Sequence, residues 1–443
     1  MNAGDIAWVL VSSALVLFMT PGLALFYGGL VRNKNVITTM YEVVAVAFVI
    51  AIQWVLFGYS LAFGPDVGHI IGNFHFILFN HVGAAPDSNY SSTIPSVLFA
   101  TFQMMFAIIT PAVIVGSLAE RVKFSSFLVF ILLWSTIIYD PLAHWVWGAG
   151  GFLHRLGLLD FAGGTVVEIA SGISGLVCAI YLGKRAGHGS PAIKAHNVPL
   201  TLIGTAILWF GWFGFNAGSA LSANAVAANA FVTTNIAAAG AALTWVIVER
   251  INTGHMTLVG ASAGIVSGLV AITPACGYVT VGGALVIGLI AGVICYFFST
   301  AFKNFFGYDD ALDAFGAHGI GGTWGMIATG LFATIIVNAK GGNGLFYGNS
   351  HQFLIELIGM VVAWLFSGIG TFVLLKLVDV VMGLRVSPEE EAMGLDVALH
   401  NENAYPETLT WDSASSVLES LKRAGISSNN MKLPNSTSTT IDQ

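Results

Sequence analysis

Hydrophobic residues in this chain run in long unbroken stretches, not in the alternation or narrow stripes of a soluble fold. A helix crossing about 30 Å of hydrocarbon takes around 20 apolar residues. Stretches of that length recur from near the first residue to the neighbourhood of Arg385. The first runs from Ile6 to Leu30, and the absence of a basic residue between Met1 and Asp5 predicts a retained helix, not a cleaved leader. Ten more are predicted at about 38–63, 94–118, 124–146, 163–183, 198–219, 224–248, 256–274, 278–301, 314–337 and 352–383. The fold class is therefore an all-α polytopic membrane protein with eleven transmembrane helices.

The basic residues orient the spans. Loops after odd-numbered spans hold Arg32, Lys34, Arg121, Lys123, Lys184, Arg185, Lys194, Arg250 and Lys303, whereas loops after even-numbered spans hold Arg155 and Lys340. Lys and Arg collect on the cytoplasmic side, which predicts an N-terminus outside and a C-terminus inside. After Arg385 the sequence turns polar, so the chain divides into a transmembrane domain, 1–383, and a cytoplasmic tail, 384–443, read as regulatory. Within the tail Asp412 is placed to cap a short helix that carries Val417, Leu418 and Leu421 on one face, a docking stripe.

Composition sharpens this picture. Of 443 residues 56% are hydrophobic and only 9% charged, where a soluble domain carries roughly a quarter. An ordinary cytosolic enzyme and a disordered chain are excluded. A net charge of −7 leaves no basic surface for a nucleic-acid partner. Cys178, Cys276 and Cys295 sit in apolar runs without ligand spacing and read as packing residues. His69, His75 and His81 recur at a six-residue interval that fits no common metal site. No metal and no other cofactor is expected.

Candidate chemistry comes from an internal repeat. Asp160 is followed by Glu168, Gly172 and Gly175, and Asp310 by His318, Gly322 and Gly325 at the same spacings. The copies are five spans apart, so they have opposite topology, the inverted-repeat plan that puts transport sites near the bilayer midplane. Spans 1–5 (about 1–185) and 6–10 (about 195–340) form the halves, with span 11 added outside. Ionisable groups inside a span are costly and default to function. Glu168 and His318, about two turns into equivalent helices, are thus expected to share a functional site. Asp160 and Asp310 resemble N-caps, and Glu42, Asp140, Asp309, Asp313 and Glu356 are attributed to capping or solvation at span ends. GIGGTWG (319–325) lies in a hydrophobic span and reads as helix packing. Trp209, Phe210, Trp212, Phe213 and Phe215, followed by Ser219, crowd one end of span 6, and Trp145 and Trp147 end span 4. Aromatics and a hydroxyl converging at an outer vestibule would make a box for an ammonium-type cation.

Together these residues resemble the ammonium transporter (Amt/Mep/Rh) family, from MTPGLALFYGGLVRNKN to GLDVALHNENAY. The segments TPAVIVGSLAERVKF, DFAGGTVVEIASG, GWFGFNAGSA and DDALDAFGAHGIGGTWG carry the resemblance. It implies a homotrimer in the plasma (inner) membrane, each protomer of eleven helices with its own pore for ammonium or ammonia. It implies recruitment of ammonium by Trp147, Phe106 and Ser219, supported by Asp160 through the local backbone. Phe106 and Phe215 would be the stacked gate, Trp212 would line the path, and His318 would be the second of two pore histidines. Glu168 departs from the histidine most members carry there, as a fungal subset does, and would serve with His318 as a proton relay. The resemblance also implies a tail docked on the pore mouths and open to a PII-type signal protein. Asn401, standing where glycine is usual, implies looser docking. A sensor with slow conduction and an electroneutral gas channel are the alternatives, and an intramembrane metalloenzyme lacks a third ligand beside Glu168 and His318.

Overall fold

The computed structural model describes residues 1–189 and 193–405. Its long helices are α1 (Ala3–Leu30), α2 (Asn33–Phe63), α3 (Ser96–Leu118), α4 (Phe124–Leu156, interrupted at Gly148), α5 (Gly164–Leu182), α6 (Val198–Gly218), α7 (Ala225–Thr253), α8 (Leu258–Ile272), α9 (Val281–Phe306), α10 (315–332) and α11 (Ser350–Met382). Among the described residues nine of these are long and apolar enough to cross a membrane. The others are α8, which is short, and α10, diluted by His318 and glycines. The chain is thus a helical polytopic membrane protein.

Local chemistry sets the boundaries. Asn2, Asn197, Asn224, Thr257, Thr280 and Asn349 each accept a backbone N–H of the first turn that follows, satisfying donors a helix start leaves without partners. Gly183 and Gly254 end α5 and α7 at positive φ. A two-residue hairpin of β1 (Asp66–Val67) and β2 (Ile71–Gly72) follows α2.

The repeat read from the sequence is a physical crossing. At Gly172 on α5 an added Cβ would collide with the Gly319 backbone of α10, and at Gly322 it would lie 2.7 Å from the Glu168 Cβ. Under the 150-residue offset that also separates Glu168 from His318, Gly172–Gly319 maps onto Gly322–Ile169 and Gly322–Glu168 onto Gly172–His318, and an added Cβ would meet both of these counterparts as well, at 3.1 and 2.8 Å, the reciprocity a local two-fold relation requires. Small residues allow this approach in a membrane fold. Both helices open with a π-helical turn, Gly164–Ile169 and Phe315–Gly319, carrying Glu168 and His318 respectively. Such turns widen a helix and recur at functional sites.

Met1–Glu402 pack together as a first unit. The first unit includes α12 (Pro388–Met393) and α13 (Leu395–His400), both beyond the last span. Asp396 accepts from the Ile37 and Thr38 amides at the start of α2, and Asn35 Oδ1 accepts from the Leu395 amide. Asn401 takes the left-handed conformation at φ 52, which Asn tolerates better than most residues. Asn401 thus makes this turn itself. The stripe of Val417, Leu418 and Leu421 capped by Asp412 lies outside the described residues.

Candidate functional site

The vestibule is a cavity of about 750 Å³ whose lining includes Phe106, Trp147, Asp160 and Ser219. Phe106 comes from the middle of α3, Trp147 from the break in α4, and Ser219 from the cap of α6. The Phe106 and Trp147 rings stand 6.0 Å apart and nearly perpendicular. Trp147 is held from behind, its Nε1 donating to the Asp160 carbonyl at 3.0 Å. The Asp160 carboxylate accepts from the Gly163, Gly164 and Thr165 amides at 2.6–2.8 Å and from the Thr165 hydroxyl. The N-cap position of α5 is Gly163, and Asp160, three residues before it, satisfies the first amides from outside the helix while its carbonyl holds the Trp147 indole. Ser219 Oγ donates to the Phe215 carbonyl at 2.8 Å and keeps lone pairs free.

Beneath the vestibule Phe106 and Phe215 meet at 4.4 Å between centroids, both buried. Past them lies a narrow cavity of about 20 Å³, walled mainly by apolar side chains including Leu208, Trp212 and Val266, with Glu168 and His318 also on its wall. That is room for about one water-sized molecule. Trp212 packs on Phe215 at 5.3 Å, and its Nε1 donates to Thr273 Oγ1. His318 Nδ1 lies 2.7 Å from Glu168 Oε2. Both are buried, and Glu168 Oε1 has no hydrogen-bond partner among the described residues. A carboxylate and an imidazole at this distance can exchange or share a proton, and in apolar surroundings their charge is costly unless paired.

With this geometry in view, comparison with known proteins is decisive. The profile of the Ammonium Transporter Family matches residues 7–405. The chain belongs to the Ammonium Transporter Family. It is similar to the ammonium transporter of Bacillus subtilis, 49% identical over 409 residues, 92% of this chain and 100% of that one. The crystal structure of Candida albicans Mep2 aligns with TM-score 0.84 and 35% identity over 93% of each chain. A structure described as a sensor Amt protein aligns with TM-score 0.82 and 30% identity, over 90% of this chain and 98% of that one.

All eight residues singled out from the sequence and the resemblance, Phe106, Trp147, Asp160, Glu168, Trp212, Phe215, Ser219 and His318, fall along this one line from vestibule to inner cavity in the family member. The rest of the aromatic crowd does not join them: Phe210 is exposed and Phe213 stacks on Phe231 at 4.0 Å. Among the described residues no group of three or more His, Cys, Asp or Glu could hold a metal. His75 and His81 stack on each other at 4.4 Å, while His69 contacts Asp66 and Arg155.

The attribution of Glu42, Asp140 and Glu356 to solvated span ends is wrong. All three are buried completely. Among the described residues neither oxygen of Glu42 has a hydrogen-bond partner, Asp140 accepts from Gln53 (2.7 Å), and Glu356 Oε1 accepts from the Leu159 amide (2.9 Å) and from Gln352 (2.6 Å). Asp313 does meet a neighbour, Lys303 of α9. Thr273, the partner of Trp212, had no signal in the sequence, because a threonine in an apolar run gives no hint of which indole crosses it.

Proposed function

We propose that this protein carries ammonium into the cell by recruiting NH4+ at the vestibule, deprotonating it at the aromatic gate, and passing NH3 through the inner cavity while a proton crosses separately. The observation that carries the reading is an aromatic vestibule and an apolar cavity meeting at the Phe106–Phe215 pair, with one buried carboxylate–imidazole pair beyond it. Ring faces attract ammonium-type cations, and a Ser219 lone pair accepts a hydrogen bond from the ion. Bare ammonium pays a large desolvation cost in an apolar channel, whereas neutral ammonia pays little. Potassium has no proton to shed and stays outside. Glu168 and His318 receive the released proton and relay it, Glu168 acting where the resemblance implies histidine. This site lies in an eleven-helix protomer with its N-terminus outside and C-terminus inside, assembled as a homotrimer in the plasma membrane, with α12 and α13 on the cytoplasmic face beside a docking surface for a PII-type protein.

Ammonium-evoked current in proteoliposomes tests the reading. Transient inward positive current with ammonium and none with potassium is expected. No current, with ammonia-driven internal pH change intact, indicates an electroneutral gas channel and removes the relay. Likeness to the sensor Amt protein favours a second reading, in which conduction is slow and the tail signals ammonium; flux far below that of the Bacillus subtilis transporter under the same gradient would select it. Glu168→His is expected to move the pH profile of the current, and an unchanged profile overturns the Glu168–His318 relay.

A further inference from the structure

The eleventh helix stands outside the repeat, yet it grips the wall of the vestibule. Three residues on one face of α11, at i, i+4 and i+7, engage three consecutive residues that lead into Asp160. Gln352 Nε2 donates to the Gly157 carbonyl at 2.9 Å, Glu356 Oε1 accepts from the Leu159 amide at 2.9 Å, and Gly359 leaves the space that the Leu158 side chain fills. Gln352 Nε2 also donates to Glu356 Oε1 at 2.6 Å, tying the first two together. The next residue is Asp160, whose carbonyl accepts the Trp147 indole N–H. Gly157, Leu158, Leu159, Gln352 and Trp147 all line the vestibule, whereas Glu356 lies behind them, buried completely.

We propose that Glu356, assisted by Gln352, is a positioning residue for ammonium recruitment: it fixes the backbone of 157–160 and through it the orientation of Trp147. The proposal rests on the transport reading above. Leu159 N–H is a buried donor whose acceptor comes from Glu356, so truncation of Glu356 leaves it unsatisfied and releases the segment. Only the carbonyl-type oxygen is needed for this, not the charge. The indole contacts the ion at recruitment and not in the inner cavity, so the effect falls on KM and leaves maximal current largely intact.

The experiment measures ammonium-evoked current against ammonium concentration in proteoliposomes for the wild type, Glu356→Leu, Glu356→Gln and Gln352→Leu. Expected are a KM raised about tenfold in Glu356→Leu, about threefold in Gln352→Leu, and within about twofold of wild type in Glu356→Gln, with maximal current changed less than about twofold throughout. Wild-type KM in Glu356→Leu overturns the proposal. So does a rise in Glu356→Gln equal to that in Glu356→Leu, which would mean that charge and not the hydrogen bond matters. Should Glu356→Leu fail to fold, Gln352→Leu decides: an unchanged KM overturns the proposal. A wild type without ammonium-evoked current overturns the charge-coupled transport reading, and this inference, which rests on it, falls with it.

Discussion

Buried carboxylates receive opposite treatment in two regions of this molecule. Beyond the ends of α3 and α9, Glu120 and Asp309 are buried among guanidinium groups. Arg32 meets Glu120 at 2.7–2.9 Å through its backbone amide and side chain, and Arg185 reaches the same carboxylate at 3.3 Å. Arg185 also binds both oxygens of Asp309 at 2.9 Å. Burial pushes both carboxyls up, but the hydrogen bonds and charge of the arginines outweigh it and hold each below the ordinary carboxylate range, Asp309 farthest. In the inner cavity Glu168 is just as buried and, among the described residues, meets His318 through one oxygen and leaves the other unpaired. The loop network fixes charge in place by surrounding it. The cavity pair leaves charge under-satisfied, which is the condition the proposed relay requires.

The comparison breaks most visibly at Arg185. Replacing it with leucine leaves Asp309 and Glu120 buried with fewer partners, and loss of one member of a buried charge network costs about 3–5 kcal/mol. Thermal unfolding of the detergent-purified protein reads this, and a change no larger than that of an exposed-residue control would mean that the network holds nothing. At Glu168 the opposite separation is expected. Glu168→Gln keeps the shape and loses the transferable proton, so ammonium current falls about a hundredfold, the lower range for a lost acid–base group, while the unfolding temperature stays near wild type. A current within tenfold of wild type removes Glu168 from the proposed relay.

Acid sharpens the contrast next. Carboxyls whose folded values are depressed contribute stability that is fully present above their unfolded value, near 4, and lost as pH falls through the folded value. Asp309 and Glu120 are depressed, so the wild type is expected to lose unfolding temperature progressively below about pH 4. Arg185→Leu, with that depression relieved, is expected to show a shallower decline. Parallel curves would assign the acid sensitivity elsewhere.

Much of this is legible in the sequence. The spans were legible because hydrocarbon imposes length and apolarity directly on sequence, and the crossing of α5 and α10 was legible because glycine spacing and the Asp160/Asp310 repeat encode a close approach. The inward pair Glu168 and His318 followed from depth within their helices. The burial of Glu42, Asp140 and Glu356 did not, since distance from a span end says nothing about which neighbouring helix covers a side chain. The π-helical turns under Glu168 and His318 also escaped, because an i to i+5 bond leaves no residue signature. Phe210 and Phe213 show the converse limit: an aromatic cluster along one helix points several ways at once, and only packing selects Trp212 and Phe215.

The smallest expected effect lies on α2, where both treatments occur on one helix. At its start Asp396 is satisfied by the Ile37 and Thr38 amides, and farther along Glu42 is buried with no hydrogen-bond partner among the described residues. The satisfied member depends on α13, closed by Asn401 in the left-handed conformation with its amide donating to the Val397 carbonyl at 3.1 Å. Glycine reaches that conformation freely and Asn at slight cost, whereas alanine pays about 1–2 kcal/mol. Asn401→Gly is therefore expected to leave hydrogen exchange at the Leu395–His400 amides unchanged, and Asn401→Ala to speed it about tenfold or slightly more. Wild-type protection in Asn401→Ala would mean that α13 is held by Asp396 and Leu395 alone and that the turn after it contributes nothing. Faster exchange confined to α13, with the spans unaffected, would show that the carboxylate at the head of α2 is satisfied by a separable element, while the silent Glu42 belongs to the membrane core.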